Sequence, residues 1–435
     1  VGKFSAGAGA DEMRVLVENG EYWLRNRGDI AMMAVTARRL REHWPAARIG
    51  MLTEQPRVLR ALVPQAESID LADGGGWTEP GRFDRLGGLA ALRWRAVTDG
   101  PKARVRALRK AVRGTAEHAE PPAPPLPAAA AESALVLAQG GGYMTDVDRY
   151  QATRTLALLD HAQRLGIPTA MIGQGFGPID DPALLERAAR VLPGVGFIAL
   201  REGRRGPKLL ADLGVDPARV MVTGDDAVEL AYDLRRDEVG DELGVCLRIT
   251  YYAEVGDAAR AVLSEVIRTR AAEYGAPLRP LIISEYDAED RDCTRRLLAG
   301  AANTRRPVGR AGTAEDVARQ VSRCRVLVTS AYHLAVFALS QGIPAVGITA
   351  SRYYDDKFHG LADMFGTGLR VVHADDPDLS RSLTTAVGEL WEAAPDLRAP
   401  LRHKAVEQIA AARAGMDRVF RLVEGDPTAT PTQGE

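Results

Sequence analysis

Short runs of consecutive apolar residues recur along the chain, and between them the apolar positions fall three or four residues apart. That alternation predicts buried parallel strands joined by amphipathic helices. The run Val15-Leu16-Val17 predicts a strand over 13–18, followed by a helix over 30–40 and a strand over 48–53, which together make a βαβ unit. The rhythm resumes with strands at 135–138, 168–173, 196–201 and 220–223 and helices at 149–165, 182–191 and 206–213. A charged, weakly periodic stretch over 234–242 predicts a crossing between domains. A second set follows, with strands at 243–248, 281–284, 326–329, 345–349 and 370–372 and helices at 258–274, 289–298, 314–324 and 334–341. Helices at 380–391 and 405–423 close the pattern. The fold class is therefore α/β, with two Rossmann-like domains built on parallel sheets with helices on both faces. We expect domains at 11–235 and 243–399, a C-terminal helix at 400–423 and a frayed tail at 424–435.

One stretch breaks the rhythm. Residues 74–132 read as an irregular insertion, with glycines at 74–76 and 87–88, a basic helix-prone segment over 93–113 and a proline-rich loop over 120–130. The leader at 1–10 reads as loose.

Composition narrows the class of partner. A length of 435 residues with 46% apolar content is ample for two cores. The 56 basic and 58 acidic side chains are interspersed and leave a net charge of −2, so nothing in the overall field favours nucleic acid or an anionic membrane. Cys246, Cys293 and Cys324 are widely spaced and form no zinc-type pattern. Neither a signal peptide nor an apolar run of about 18 residues is present. The expectation is a cytoplasmic protein that handles small molecules, without a membrane span; a homo-oligomer is left open.

Candidate chemistry gathers at strand ends, where open α/β sheets bind ligands. Asn26-Arg27-Gly28-Asp29 follows the first strand and opens a helix; Asn26, Gly28 and Asp29 are candidates for ligand contact, and Asp29 reads equally as a helix cap. Gly140-Gly141-Gly142 lets the backbone approach a ligand closely, with Gly141 and Gly142 as candidates, although tight packing explains such glycines as readily. Gln174 in Gly173-Gln174-Gly175-Phe176-Gly177-Pro178 offers a donor and an acceptor. Arg201 and Asp225 end the next two strands. In the second half the candidates are Arg248, Glu285, His333 and Lys357. His333 sits between a strand and a helix, a setting that suits a general acid or base. An arginine or lysine nearby suits a phosphate or carboxylate.

These segments, in this order over 13–366, resemble the polysaccharide pyruvyl transferase family. Asn26-Arg27-Gly28-Asp29 is similar to its Asn-x-Gly-Asp element, Gly140-Gly141-Gly142 with Asp146 to its glycine loop, and the stretch 173–178 to its Gly-Gln-Gly-x-Gly-Pro element. Arg201-Glu202, Asp225-Asp226-Ala227, the stretch 329–344 and Tyr354-Asp355-Asp356-Lys357 resemble the remaining segments. The resemblance implies a glycosyltransferase-B-like pair of facing domains, with the acceptor on the first and the donor on the second. It also implies transfer of the enolpyruvyl unit of phosphoenolpyruvate to sugar hydroxyls, without metal or organic cofactor. His333 would then be the acid/base residue, and Lys357 and Arg201 ligands for anionic groups. One position departs: the family carries an arginine two residues before the histidine, and this chain has Ala331. Two alternatives stand beside this reading. One is a glycosyltransferase using a nucleotide-sugar donor, with Glu285 on the ribose; the other is a non-catalytic relative that has lost donor binding.

Overall fold

In a computed structural model that describes residues 13–72, 74–77, 87–98, 124–250, 253–286 and 290–425, the chain forms two parallel sheets flanked by helices. The expected leader, the part of the basic segment over 99–113 and the tail beyond 425 lie outside the described residues, as does the part of the proline-rich loop over 120–123.

The first half runs β1 (Arg14–Glu18), α1 (Arg27–His43), β2 (Arg48–Leu52), α2 (Pro56–Leu62), β3 (Glu67–Ile69) and α3 (residues 87–98). It continues with β4 (Leu135–Ala138), β5 (Gly141–Met144), α4 (Arg149–Arg164), β6 (Thr169–Phe176), α5 (Pro182–Val191), β7 (Phe197–Leu200), α6 (Gly206–Asp212), β8 (Val220–Val222) and α7 (Ala227–Asp233). Its strands lie in the order β3-β2-β1-β4-β6-β7-β8, with β5 beside β6. The second half runs β9 (Glu242–Cys246), α8 (Asp257–Glu273), β10 (Leu278–Pro280), α9 (Asp290–Leu297), α10 (Ala314–Val321) and β11 (Cys324–Thr329). Then follow α11 (Tyr332–Ser340), β12 (Ala345–Thr349), α12 (Arg352–Phe365), β13 (Leu369–His373) and α13 (Leu379–Glu424). Here the order is β10-β9-β11-β12-β13. Chain order therefore reverses between β1 and β4 in one sheet and between β9 and β11 in the other. Such reversals open a crevice beyond the carboxyl ends of the strands.

An apolar seam joins the two halves. Ala31, Met32 and Val35 of α1 and Val228 and Ala231 of α7 pack with Val317 of α10 and the apolar residues of α11, all nine of whose residues are buried. The absence of a polar face on α11 follows from this position, because α7, α10, α12, α13 and the strands β11 and β12 surround it.

Several elements differ from the sequence expectation. The apolar run at 281–284 is buried but lies past β10. Its backbone leaves the sheet to meet the first half, with Arg27 N–H donating to Ile283 O (2.8 Å) and Glu285 N–H to Arg25 O (3.0 Å). Residues 141–144 form a strand on β6 instead of an open glycine loop. The segment around Lys357 is the helix α12, and α7 occupies 227–233 ahead of the charged crossing. The closing helices are one 46-residue helix that runs through Pro395 and Pro400. Each proline removes a ladder bond, and burial along both halves offsets that loss. Leu390 and Trp391 pack in the second half, whereas Met416, Val419 and Phe420 return to the β1 side of the first. No helix among the described residues is long and apolar enough to cross a membrane.

Candidate functional site

The site forms where the two strand-order reversals face each other. Asn26 caps α1 by accepting a hydrogen bond from Gly28 N–H (3.1 Å), so the cap is Asn26, and Asp29 is released to point out of the first turn. From the opposite wall, Ala331 ends the turn after β11 and leaves His333 in the first turn of α11. The two helix starts meet at Gly28, where a Cβ would stand 2.2 Å from His333 Cγ. Only a glycine lets the ring lie there.

His333 Nε2 lies 3.9 Å from Asp29 Oδ1 and 3.7 Å from Asp225 Oδ2. Both distances exceed a hydrogen bond. Nε2 and Asp225 Oδ2 are buried without a hydrogen-bond partner, whereas Asp225 Oδ1 accepts from Ala227 N–H (2.9 Å). The neighbouring Asp226 faces the other way, paired with Arg39 at 2.6 Å. Two adjacent aspartates thus divide the work, one anchoring α1 to α7 and one facing the ring.

A cationic group lies beside them. Arg201 follows β7, stacks over the Tyr332 ring at 4.4 Å and reaches Asp225 Oδ2 at 3.9 Å. Lys357 is bonded to the Tyr353 hydroxyl one helical turn earlier on α12, and Tyr353 OH donates to Gly142 O (2.7 Å). A Cβ on Gly142 would come within 2.3 Å of Lys357 Nζ and 2.9 Å of Arg201 Nη2. The absence of side chain at Gly142 is therefore what admits both cations. Together Gly142, Gly175, Arg201, Arg205, Tyr353 and Lys357 line a small pocket next to the ring.

Charge in this crevice is crowded and dry. Burial, then Arg201, Lys357 and Arg248, hold the His333 ring well below its ordinary value, so it is neutral near pH 7. Burial, then Arg201, pulls the Lys357 amine well below its usual range. Burial lifts Asp225 to about 6 despite Arg201. Asp29 is pushed up to about 8 by surrounding protein, then by Glu21 and Asp225, although its side chain keeps 21% exposure at the crevice mouth. Clusters with displaced titration are characteristic of functional sites.

The other sequence candidates are placed as follows. Gly141 lies in β5 against the Tyr143 ring. The Gln174 amide donates to Gln139 O (2.8 Å) and Tyr143 OH (2.8 Å), bracing the glycine segment from behind, and its Oε1 has no protein partner. Arg248 follows β9, meets Asp290 through two bonds of 2.7 and 3.1 Å, and shares Ser330 Oγ through its backbone. Glu285 lies apart from the His333 group; its carboxylate is taken up by Arg27 (3.1 Å), Arg310 (2.8 Å) and Arg291. Sequence reasoning passed over Arg27, Glu21 and Tyr353. Arg27 stood inside a quoted motif, and the four-residue spacing of Tyr353 and Lys357 is a helical signal. Glu21, which accepts from Tyr286 OH (2.7 Å) and is lifted to about 7 by burial, carried no signal in its irregular loop.

The family model described as polysaccharide pyruvyl transferase matches residues 26–352. No curated protein sequence matches the chain. Among similar solved structures, UDP-GlcNAc 2-epimerase from Neisseria meningitidis, bound to UDP-GlcNAc, is 13% identical, with a TM-score of 0.57 over 94% of this chain and 100% of that one. A putative UDP-N-acetylglucosamine 2-epimerase from Listeria monocytogenes is 14% identical, with a TM-score of 0.56 over 95% and 98%. A glycosyltransferase from Rickettsia africae is 8% identical, with a TM-score of 0.53 over 96% and 100%. These likenesses show the glycosyltransferase-B-like fold.

Proposed function

The chain belongs to the polysaccharide pyruvyl transferase family, and from that footing we propose that it moves a pyruvyl group from an anionic enol donor to hydroxyls of a sugar-like or natural-product acceptor. The acceptor lies on the first domain, and the donor reaches from the second domain to the junction where Arg201 and Lys357 meet. The observation that carries this reading is the unpartnered, buried His333 Nε2, set between Asp29 and Asp225 and beside the Arg201 and Lys357 pocket. A neutral imidazole takes the proton of an attacking hydroxyl, and Asp225 stabilises the imidazolium that results. The two cations hold the donor's carboxylate or phosphate in a desolvated pocket, where charge is worth more than in water. With phosphoenolpyruvate, one acceptor oxygen adds to C2 while a proton goes to C3. A second hydroxyl then closes the ketal as phosphate departs with the remaining proton.

One observation favours a second reading. Ala331 is fully buried at the cap of α11, so position 331 supplies no guanidinium to the site. A nucleotide-sugar donor is the alternative this leaves. Incubation with phosphoenolpyruvate and a panel of sugars, read by phosphate release and product mass, tests the proposal. Phosphate release with a pyruvylated product is expected. UDP or GDP release from nucleotide sugars instead would replace it with the second reading, and silence from both donor classes would point to a non-catalytic relative.

A further inference from the structure

A second cavity, of about 690 Å³, opens beyond the carboxyl end of β2. Its walls are the start of α2 and one face of α3. Gly87, Ala90, Ala91, Trp94, Arg95 and Thr98 recur at helical spacing along that face. The wedge has a local cause. At Gly88 a Cβ would stand 2.6 Å from Arg57 O, so α3 touches α2 at its start, and the space between them opens toward Trp94. Leu92, on another face of α3, is buried, yet Trp94 on the cavity face keeps 71% of its surface exposed. A large aromatic ring facing an open cavity is a surface for stacking.

Charge in the wedge is one-sided. Arg25, Arg57 and Arg95 line it with a single acid, Glu54, whose Oε2 accepts a hydrogen bond from Trp23 Nε1 (2.8 Å). Arg95 is held by Trp23 O (2.9 Å) and Leu24 O (2.8 Å), which fixes its guanidinium at the wall. In a chain with net charge −2, this is a local concentration of cations. The wedge also adjoins the reaction site. Arg25 lies over the Tyr286 ring, Tyr286 OH donates to Glu21, and Arg25 is followed by the Asn26 cap of α1, which carries Asp29.

We propose that this wedge binds the acceptor's far end, and that the acceptor is an anionic saccharide. A sugar ring stacks on Trp94, and a phosphate or carboxylate on the same molecule meets Arg25, Arg57 and Arg95. The proposal rests on the acceptor lying on the first domain, as the function above requires. It adds that acceptors are chosen by a negative charge remote from the reacting hydroxyls.

Calorimetric titration of the full chain without donor tests this, using glucose 1-phosphate, glucuronic acid, UDP-glucose and neutral methyl glucoside as probes. At least one anionic probe is expected to bind about tenfold or more tightly than methyl glucoside. The preferred probe identifies a sugar phosphate, a uronic acid or a nucleotide-linked sugar as the source of the charge. Arg57→Ala and Trp94→Ala should each weaken that binding roughly tenfold. Equal affinity for charged and neutral probes, or full affinity in both Arg57→Ala and Trp94→Ala, overturns the proposal. Because binding is read without donor, failure here is distinct from failure of pyruvyl transfer.

Discussion

Two charged clusters join the same two halves of this molecule, and they are built in opposite ways. At one, the Glu285 carboxylate is surrounded by the guanidiniums of Arg27, Arg291 and Arg310. Arg27 further donates to the carbonyls of Ile282, Gly309 and Gly312. Every strong charge there has a partner within bonding distance, and Glu285 is held below its usual range: burial alone would raise it, but Arg291, Arg27 and Arg310 prevail. At the other, His333 stands between two carboxylates that it does not bond, and Asp225 Oδ2, with Arg201 no nearer than 3.9 Å, accepts no hydrogen bond. The first cluster gives its bonding capacity to holding the halves together. The second keeps its capacity unspent, which costs stability and is the usual condition of a site that acts on something else.

The contrast is sharpest in what each cluster loses on substitution. His333→Ala should reduce phosphate release from phosphoenolpyruvate by about 10²–10⁴-fold while leaving the thermal midpoint unchanged or raised. A turnover close to the parent's would remove His333 from the chemistry. Arg27→Ala should do the reverse to stability, costing roughly 3 kcal/mol because a buried carboxylate loses one partner and several carbonyls lose theirs. Urea unfolding of that variant at the parent's midpoint would show that the hub contributes no stability.

A pH series separates the clusters further. Asp29 titrates near 8 in the folded chain against an ordinary 3.8, so between about pH 4 and 8 the folded form holds a proton that the unfolded form has released. Its contribution to stability is therefore fully present below about pH 4 and is lost as pH rises toward 8. Asp29→Asn should gain on the parent by on the order of 1–3 kcal/mol between pH 5 and 8, measured by denaturant midpoints. Parallel pH profiles would contradict that placement of Asp29. The smallest effect is expected from Tyr353→Phe, which removes the hydroxyl between Gly142 O and Lys357. A rise of about threefold to tenfold in KM for the donor, with stability nearly unchanged, is the expected outcome. An unchanged KM would assign Tyr353 to packing alone.

Much of the fold was legible because β4, β9, β11 and β12 are short, almost wholly apolar runs, and parallel strands buried on both faces must look that way. The strand ends were legible for the same reason, so Asp29, Arg201, Asp225, His333 and Lys357 could be singled out from residue type and place. Their assembly around one ring was not, since it depends on how two sheets face each other. Glu285 illustrates the limit: its position after a strand suggested a ligand, and only the packing brings three arginines to it from 27, 291 and 310. Periodicity also failed where long-range packing overrides local preference. Prolines at 395 and 400 argue for two helices, and contact with both halves keeps one.

That long helix has a consequence for how the molecule is made. His43 and Trp44 at the end of α1, one of the earliest elements, pack on Phe420, and Phe197 of β7 lies under Arg418, both from a helix made long afterwards. The first sheet therefore leaves the ribosome with its core unfinished and must wait for α13 before it can close. A stop codon near residue 410 would strip the cover from the oldest part of the protein rather than the newest.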